Sequence, residues 1–473
     1  MSELKLDIER YSTEPADLLA YGFDASGLSG TPAAVAWPET AEEVAAVMRG
    51  AGRIRAAVIP RGAGTGMTGG SVPFAGAEPA RGALAAPPGG LIVLSFERMN
   101  RILEVDDVNL TVLVEPGVVN GSLQRELAGY GLFYPPDPAS LEFCTIGGNV
   151  AENAGGPRAL KYGVTRDYVL WLEAVLAGGE LITTGVQTPK GVVGYDLTRL
   201  LVGSEGTLAA ITKIRLKVLP LPEEIITLMA VFGDVGAAGE AVSRIIASRI
   251  IPRTLEIVDG HCILAVEKRG PVGLPSGAEA LLLIELDGHP EAIKAQAGRV
   301  IDICGRLGAK VTMAEDEDAR EALWRARRGV SPALYQLCPH KVSEDIVVPR
   351  GNIARMLTEL KALALRTSVP IATFGHAGDG NLHVNFLPEE KKDLTPVLRE
   401  LFRKVLDLGG TLSGEHGVGL TKKPFIEMEI GPAELDLMRR IKGVFDPDGL
   451  LNPGKIFPEK TFPEKQGGPF KGP

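Results

Sequence analysis

Apolar positions along the chain fall into two regimes, one before and one after residue 220. From 39 to 52 (ETAEEVAAVMRGAG) they recur at helical spacing. Thr40 stands there as an N-cap, Glu43 three residues on suggests a capping box, and a glycine closes the segment. Short uninterrupted apolar runs predict strands at 56–59, in LIVLSF, in LTVLVEPG, at 171–177 and at 207–218. Two glycine-dense segments, 60–73 (PRGAGTGMTGGSVP) and 135–163, break this pattern and read as irregular loops. The Ala/Pro/Gly-rich stretch 75–90 reads as an exposed loop.

LPLPEE (219–224) carries two prolines and two acids and marks the best domain boundary. Beyond it the periods alternate. A strand at 225–232, a helix at 237–248 and a strand at 253–258 are followed by strand 280–286, helix 290–307 and strand 310–313. Next come strand 345–348, helix 353–365, strands 370–374 and 382–386, and a helix near 397–408. Units of this kind predict an α+β domain with split βαβ topology. The final FDPDGLLNPGKIFP is punctuated by Pro and Gly but keeps apolar residues, so it is expected to dock.

Composition narrows the function classes. A chain of 473 residues exceeds one compact core, so two or three domains are expected. The net charge of -9 argues against nucleic acid and anionic membranes as partners, because both attract basic faces. Cys144, Cys262, Cys304 and Cys338 are far apart with no CxxC pair, which argues against an iron–sulfur or zinc-knuckle site within this chain. They read as reduced, buried thiols of a cytoplasmic protein. The start, MSELKLDIER, has no apolar signal-peptide core, and no apolar run approaches the roughly 20 residues of a membrane span.

Gly64, Gly66 and Gly69 spell GxGxxG. No helix is predicted directly after them, as the Rossmann fingerprint requires, and no Lys-Ser/Thr pair follows, as a P-loop requires. Two readings stay open: a plain turn, or a loop whose backbone N–H groups approach a phosphate. The second stretch, TIGGNVAENAGG, favours the latter, since two polar glycine-rich loops suit an extended dinucleotide.

Three of the six histidines sit in two short motifs, GHAGDGNLHVN (375–385) and SGEHGVG (413–419). The GDGN between His376 and His383 is a strong turn signal, so a hairpin would bring both imidazoles to one face. With Glu415 they make a three-ligand set with open positions, suited to Zn²⁺ or Mn²⁺. The alternative is that these histidines cap turns or pack in the core. HExxH is absent.

PRGAGTGMTGG, TIGGNVAENAGG, VGSEGTLAAIT, GHAGDGNLHVN, SGEHGVG and NPGKIF occur here in that order. Together they resemble the FAD-linked 2-hydroxy-acid dehydrogenases and oxidases of the vanillyl-alcohol oxidase superfamily, in particular the glycolate oxidase and D-lactate dehydrogenase subgroup, over roughly 30–457. The resemblance implies a two-subdomain FAD-binding domain of the PCMH type over 30–220 and an α+β cap with ferredoxin-like topology over 221–412. A C-terminal segment, 413–473, would carry the catalytic loop back onto the FAD domain.

The resemblance also implies site residues. Arg61, Gly62, Ala63, Gly64, Thr65, Gly66, Thr68, Gly69 and Gly70 would wrap the pyrophosphate. Asp137, Thr145, Gly148, Asn149, Asn153, Gly156, Gly206 and Ile211 would complete the FAD site. His376, His383 and Glu415 would hold a divalent metal, and His416 would be the base. Asn385, Arg327 and the weaker match Lys341 would bind substrate, with Ser331 in a position that can be Thr in relatives. The first loop has no histidine, so non-covalent FAD is expected.

The expected reaction is oxidation of a small 2-hydroxy acid such as D-lactate or glycolate. Arg327 would grip the carboxylate, the metal would polarise the hydroxyl, and His416 would take its proton. With no cluster ligands in the chain, electrons would leave to a partner protein, an iron–sulfur subunit, a quinone or O₂. A homodimer stays open. The rival classes are a flavin-free metal-dependent hydrolase and a non-catalytic subunit of a redox complex. Arg327, in the run Arg325, Arg327, Arg328, has the bland alternative of a surface charge on a helix.

Overall fold

Why the two halves differ is visible in how their strands are connected. In the computed structural model, which describes residues 6–74, 87–270, 274 and 277–458, a four-stranded sheet opens the chain. Its strands Ala34–Ala36, Leu91–Ser95 and Ala57–Arg61 run parallel, and helix Ala41–Ile54 connects the first of these to the last. Thr40 caps that helix by accepting from the Glu43 N–H at 3.2 Å. The Glu43 carboxylate reaches one residue further back than the expected capping box, to the N–H of Glu39 at 2.7 Å. Val44, Val47 and Met48 of its buried face join Val58, Ile92 and Leu94 in the core. The expected loop at 75–90 lies largely outside the described residues.

An antiparallel five-stranded sheet follows, in the order Ile102–Asp106, Thr111–Val114, Ala210–Lys217, Val169–Val175 and Leu181–Gly185. Between its second and third strands in chain order lies the second glycine-rich region. It is not wholly irregular as expected, because it contains helix Ile146–Glu152. Thr145 Oγ1 accepts from the Gly148 N–H at 3.3 Å, and Ile146 and Val150 are buried. The cap and this burial outweigh the low helix propensity of Gly147 and Gly148.

Beyond residue 220 an antiparallel seven-stranded sheet forms. Four of its strands, in the order Lys310–Met313, Glu224–Phe232, Ala280–Gly288 and Thr254–Asp259, give the ferredoxin-like arrangement with helices Val235–Ala247 and Pro290–Arg306. Hairpin Ile371–His376/Asn381–Phe386 and strand Val342–Val347 extend it. Helices Gly260–Arg269, Glu317–Arg328 and Pro432–Phe445 add elements that the apolar pattern did not single out.

Register places the chemistry. Val258 pairs with Phe374, Phe374 with His383, and His383 with Asp345; Ala372 and Ser343 both pair with Asn385. Paired residues and those two apart share a face. Glu256, Phe374, His376, His383, Asn385, Ser343 and Asp345 therefore line one side. The other side carries Leu255, Ile257, Ile346, Leu382 and Val384 into the main apolar core. The C-terminal stretch docks as expected as far as it is described. Leu451 bridges to Val58, and Asn452 donates to the carbonyls of Gly70 (3.0 Å) and Glu205 (2.7 Å). Among the described residues no helix is long and apolar enough to cross a membrane. All four cysteines are free and buried.

Candidate active site

The hairpin puts the two imidazoles edge to face, ring centroids 5.3 Å apart. Nε2 of His376 and Nε2 of His383 lie 3.3 and 3.4 Å from the same oxygen, Glu415 Oε1. One ligand atom from each of these three residues lies within 4.8 Å of the others. His376 Nδ1 faces Glu256 at 2.8 and 3.0 Å. That carboxylate fixes the ring and leaves Nε2 for a metal, the usual outer support of a ligating histidine. The donor set fits a Zn²⁺- or Mn²⁺-type ion.

Electrostatics in this cluster follow from burial and proximity. Burial opposes the charge on Glu415, but His376, His383 and His416 more than reverse this and hold the carboxyl at about 2. Burial also disfavours a charged His376, yet Glu256 and Glu415 raise it well above its ordinary value. His383 goes the other way: burial, aided by the neighbouring imidazoles His416 and His376, drives it well below. Without a metal, the proton belongs on His376.

Glu415 and His416 sit in a loop, not a strand, which removes the alternation that would aim neighbours apart. The loop is held by a residue that the sequence left as an ordinary strand position, Asp345. Its Oδ2 accepts from the N–H groups of Gly414 (2.7 Å), Glu415 (2.7 Å) and His416 (3.1 Å). Its Oδ1 accepts from Ser413 Oγ at 3.1 Å, is paired with Lys422, and lies 3.5 Å from His416 Nδ1. Burial works against this carboxylate, but His416 and Lys422 hold it well below its ordinary value. His416 stacks on His383 with centroids 5.2 Å apart.

The other substrate candidates are differently occupied. Arg327 is buried, not a surface charge. Its Nη2 lies 2.5 Å from Glu256, its guanidinium covers Phe374 at 4.8 Å, and its Nε has no partner. Asn385 spends its amide on the sheet: Nδ2 donates to the carbonyls of Ala372 and His383 (both 3.1 Å), and Oδ1 accepts from Ser343 at 2.5 Å. Lys341 donates to the hydroxyl (2.8 Å) and carbonyl (3.0 Å) of Ser331, and burial lowers it to about 8.

A cavity lies between the two glycine-rich loops, and Glu415 and His416 reach its wall. Arg61, Gly62, Ala63, Gly64, Thr65, Gly66, Gly70, Thr145, Gly148, Asn149, Gly206 and Ile211 line it. Thr68, Gly69, Asp137, Asn153 and Gly156 do not. Thr68 instead donates to the His416 carbonyl (3.1 Å), Asp137 pairs with Arg158 (3.1 Å), and Asn153 ends its helix at φ 54°. Gly69 packs against Leu28 and Leu420, and Gly156 against the Asp137 carbonyl. The Arg61 guanidinium is tied to the Phe23 carbonyl at 2.7 Å.

Glycine backbone from both loops makes up much of the cavity wall. Asn149 Nδ2 is buried in its wall with no partner. A methyl group at Gly62 would stand 2.4 Å from Thr145 Oγ1, and Gly64 takes φ +68°. Residues 32–185 match the family model of an FAD binding domain, and residues 221–456 that of the C-terminal domain of FAD linked oxidases.

The chain belongs to the FAD-linked oxidases.

It is 43% identical over 456 residues to the glycolate oxidase subunit GlcD of Bacillus subtilis, covering 95% of this chain and 94% of that one. It is 36% identical to the D-lactate dehydrogenase of Anaerostipes hadrus, covering 88% and 87%. The fold is that of 4-ethylphenol oxidase from Gulosibacter chungangensis, with a TM-score of 0.75 at 20% identity over 96% of this chain and 95% of that one. This FAD-linked oxidase is thus a flavoprotein oxidoreductase with a PCMH-type FAD-binding fold, and the flavin-free hydrolase loses its footing. The glycine-rich lining of the cavity is compatible with FAD, and the orphaned Asn149 amide is one group it would satisfy. Three residues that the sequence left unassigned, Glu256, Asp345 and Phe374, form the support behind the motif residues. All three are ordinary strand letters with nothing in their local sequence to mark them, and only register brings them to the site.

Proposed function

We propose that this oxidase converts a small 2-hydroxy acid of the D-lactate or glycolate type to the 2-keto acid, passing electrons on to a partner protein, a quinone or O₂. The observation that carries the reading is that Glu415, which belongs to the His376–His383–Glu415 cluster, and His416 both line the cavity between the glycine-rich loops. FAD would be held without a covalent bond by Arg61–Gly70 and by the loop around Asn149, and when bound supplies the hydride acceptor. His376, His383 and Glu415 would hold a divalent metal, which supplies Lewis acidity at the hydroxyl.

The protein groups do the rest. His416, steadied at Nδ1 by Asp345, takes the hydroxyl proton as the C2–H leaves as hydride. Arg327, held by Glu256 and Phe374, offers its unpartnered Nε to the substrate carboxylate. Lys341 and Ser331 extend the polar wall, and Asn385 keeps the ligand hairpin in register. The names of relatives support a hydroxy acid: GlcD of Bacillus subtilis is a glycolate oxidase subunit and the Anaerostipes hadrus protein a D-lactate dehydrogenase. A panel of D- and L-2-hydroxy acids, assayed with an artificial dye acceptor before and after chelation, tests this. Turnover of one enantiomeric series, lost on chelation and restored by Zn²⁺ or Mn²⁺, is expected. No turnover of any hydroxy acid by yellow, folded protein refutes the substrate class; turnover indifferent to chelators refutes the metal.

A further inference from the structure

A buried carboxyl group, Glu205, and a half-buried one, Glu152, meet where the cofactor loops touch the catalytic loop, and none of the steps above uses them. A methyl group at Gly417 would lie 2.6 Å from Glu152 Oε2 and 3.0 Å from Glu205 Oε1. One at Gly70, the end of the first glycine-rich loop, would lie 3.0 Å from Glu152 Oε1. Glu152 is thus wedged between Gly70 and Gly417, beside Glu205.

The two carboxyls are not equivalent. Glu205 uses both oxygens as acceptors, from the N–H of Val418 at 2.8 Å and of Gly419 at 2.7 Å. Burial raises Glu205 above its ordinary value, but these two N–H groups, with Lys455 and Lys422, pull it back and leave it the more readily ionised of the pair. Glu152 Oε2 is buried and has no partner. Next to a carboxylate and with one oxygen shut off from water, a second carboxyl keeps its proton. The other charged groups facing it are Asp24, which reinforces Glu205, and Lys455, which opposes it; burial comes first, and the net direction is well above the ordinary carboxyl value. Glu152 therefore carries an O–H, and no hydrogen bond fixes its Oε2 within the protein. It lines the same cavity as Glu415 and His416, and Gly417, the next residue after His416, packs against it.

We propose that the Glu152 carboxyl donates a hydrogen bond to the redox-active ring system of bound FAD and so favours the reduced cofactor over the oxidised one. Reduction adds electron density to the ring, so a donor binds the reduced form better than the oxidised form. Glu152 is a positioning and tuning residue, with Glu205 holding it protonated. The proposal rests on FAD occupying the cavity.

The test is the FAD midpoint potential and FAD dissociation constant of E152Q, E152M and E152A, measured on purified holoenzyme without substrate. E152Q keeps a neutral donor and should match wild type. E152M and E152A have no donor and should lose about tenfold in their preference for reduced over oxidised FAD. For a two-electron couple that is about 30 mV to the negative side. If the donor-free variants fail to retain FAD while keeping the wild-type melting temperature, and E152Q retains it at wild-type potential, the proposal also stands. A positive shift in all three variants would mean that Glu152 is ionised, and an unchanged potential in all three that it does not reach the cofactor; either overturns the proposal. Colourless wild-type protein that takes up no added FAD would instead sink the cofactor reading beneath it.

Discussion

Asp345→Asn is the sharpest probe of how the catalytic loop is built. The side chain is buried, and one carboxylate serves five groups. Three N–H groups, of Gly414, Glu415 and His416, converge on Oδ2, while Ser413 Oγ and Lys422 converge on Oδ1. An asparagine has one accepting oxygen. If it faces the three N–H groups, its NH₂ meets the Lys422 ammonium and leaves that charge unpaired. If it faces Lys422, the NH₂ points at three donors. Hydrogen bonds to a charged group contribute about 1.5–3 kcal/mol each, and breaking a buried ion pair costs about 3–5 kcal/mol. Lys422 retains the carbonyls of Asp345 (2.9 Å) and Leu412 (2.8 Å) and has Glu344 at 3.8 Å, so the low end applies. We expect a loss of about 3 kcal/mol in the unfolding step of the C-terminal half, read by urea denaturation. Because His416 loses both its backbone anchor and its Nδ1 neighbour, kcat should fall by about 10²–10⁴-fold, the range for loss of a positioned base. FAD content should not change. A variant with wild-type urea midpoint and kcat within about twofold would refute this account of Asp345, since the loss of even one such hydrogen bond exceeds that change.

Other outcomes follow from the same geometry. Acid precipitation should release all flavin into the supernatant, because Arg61–Gly70 offers no histidine for a covalent link; colour held in the pellet would contradict this. Arg327→Lys keeps the charge but loses the planar fork between Glu256 and the substrate, so KM should rise about 10–100-fold at unchanged FAD content. An unaltered KM would leave Arg327 as a partner of Glu256 alone. Glu415→Gln should lose bound metal and activity together, whereas His416→Ala should keep metal and FAD but lose about 10²–10⁴-fold in turnover. Metal analysis of both proteins decides it, and a metal-free His416→Ala would make His416 a ligand.

Much of this was legible in the letters because periodicity and turn chemistry are local. The strand–helix alternation after 220 and the GDGN turn between His376 and His383 needed no long-range information. The helix Ile146–Glu152 was missed because two adjacent glycines mask a short segment that a Thr cap and two buried aliphatic residues sustain. Glu256 and Asp345 were missed for a different reason. Each shares its short strand with a second acidic residue, so nothing local marks it out, and its partner is 120 residues away in His376 or 71 away in His416. Nothing near Glu256 in sequence says that it faces a histidine; the pairing of Val258 with Phe374 does. The occupied state of Asn385 was likewise hidden, because its amide is consumed by strand carbonyls that only the register defines.

How adjacent residues Glu415 and His416 come to serve one site is answered by the backbone on either side of them. The N–H groups of residues 414 to 416 are taken by Asp345, on the seven-stranded sheet. Those of residues 418 and 419 are taken by Glu205, beside the FAD cavity. One carboxylate from each half of the protein thus grips one end of a short loop, and Gly417, at φ +81°, turns the chain between the two grips. Neither grip suffices alone, because a loop tied only to the sheet would leave His416 free to swing relative to the cofactor. One tied only to the FAD side would leave Glu415 free relative to His376 and His383. Glu415 and His416, the proposed third ligand and base, are set relative to each other and to the cavity because both halves hold the same few residues of backbone. It follows that Glu205→Gln, which touches neither ligand nor base, should lower kcat while leaving metal content unchanged. An unchanged kcat in that variant would show that the grip from Asp345 is sufficient by itself.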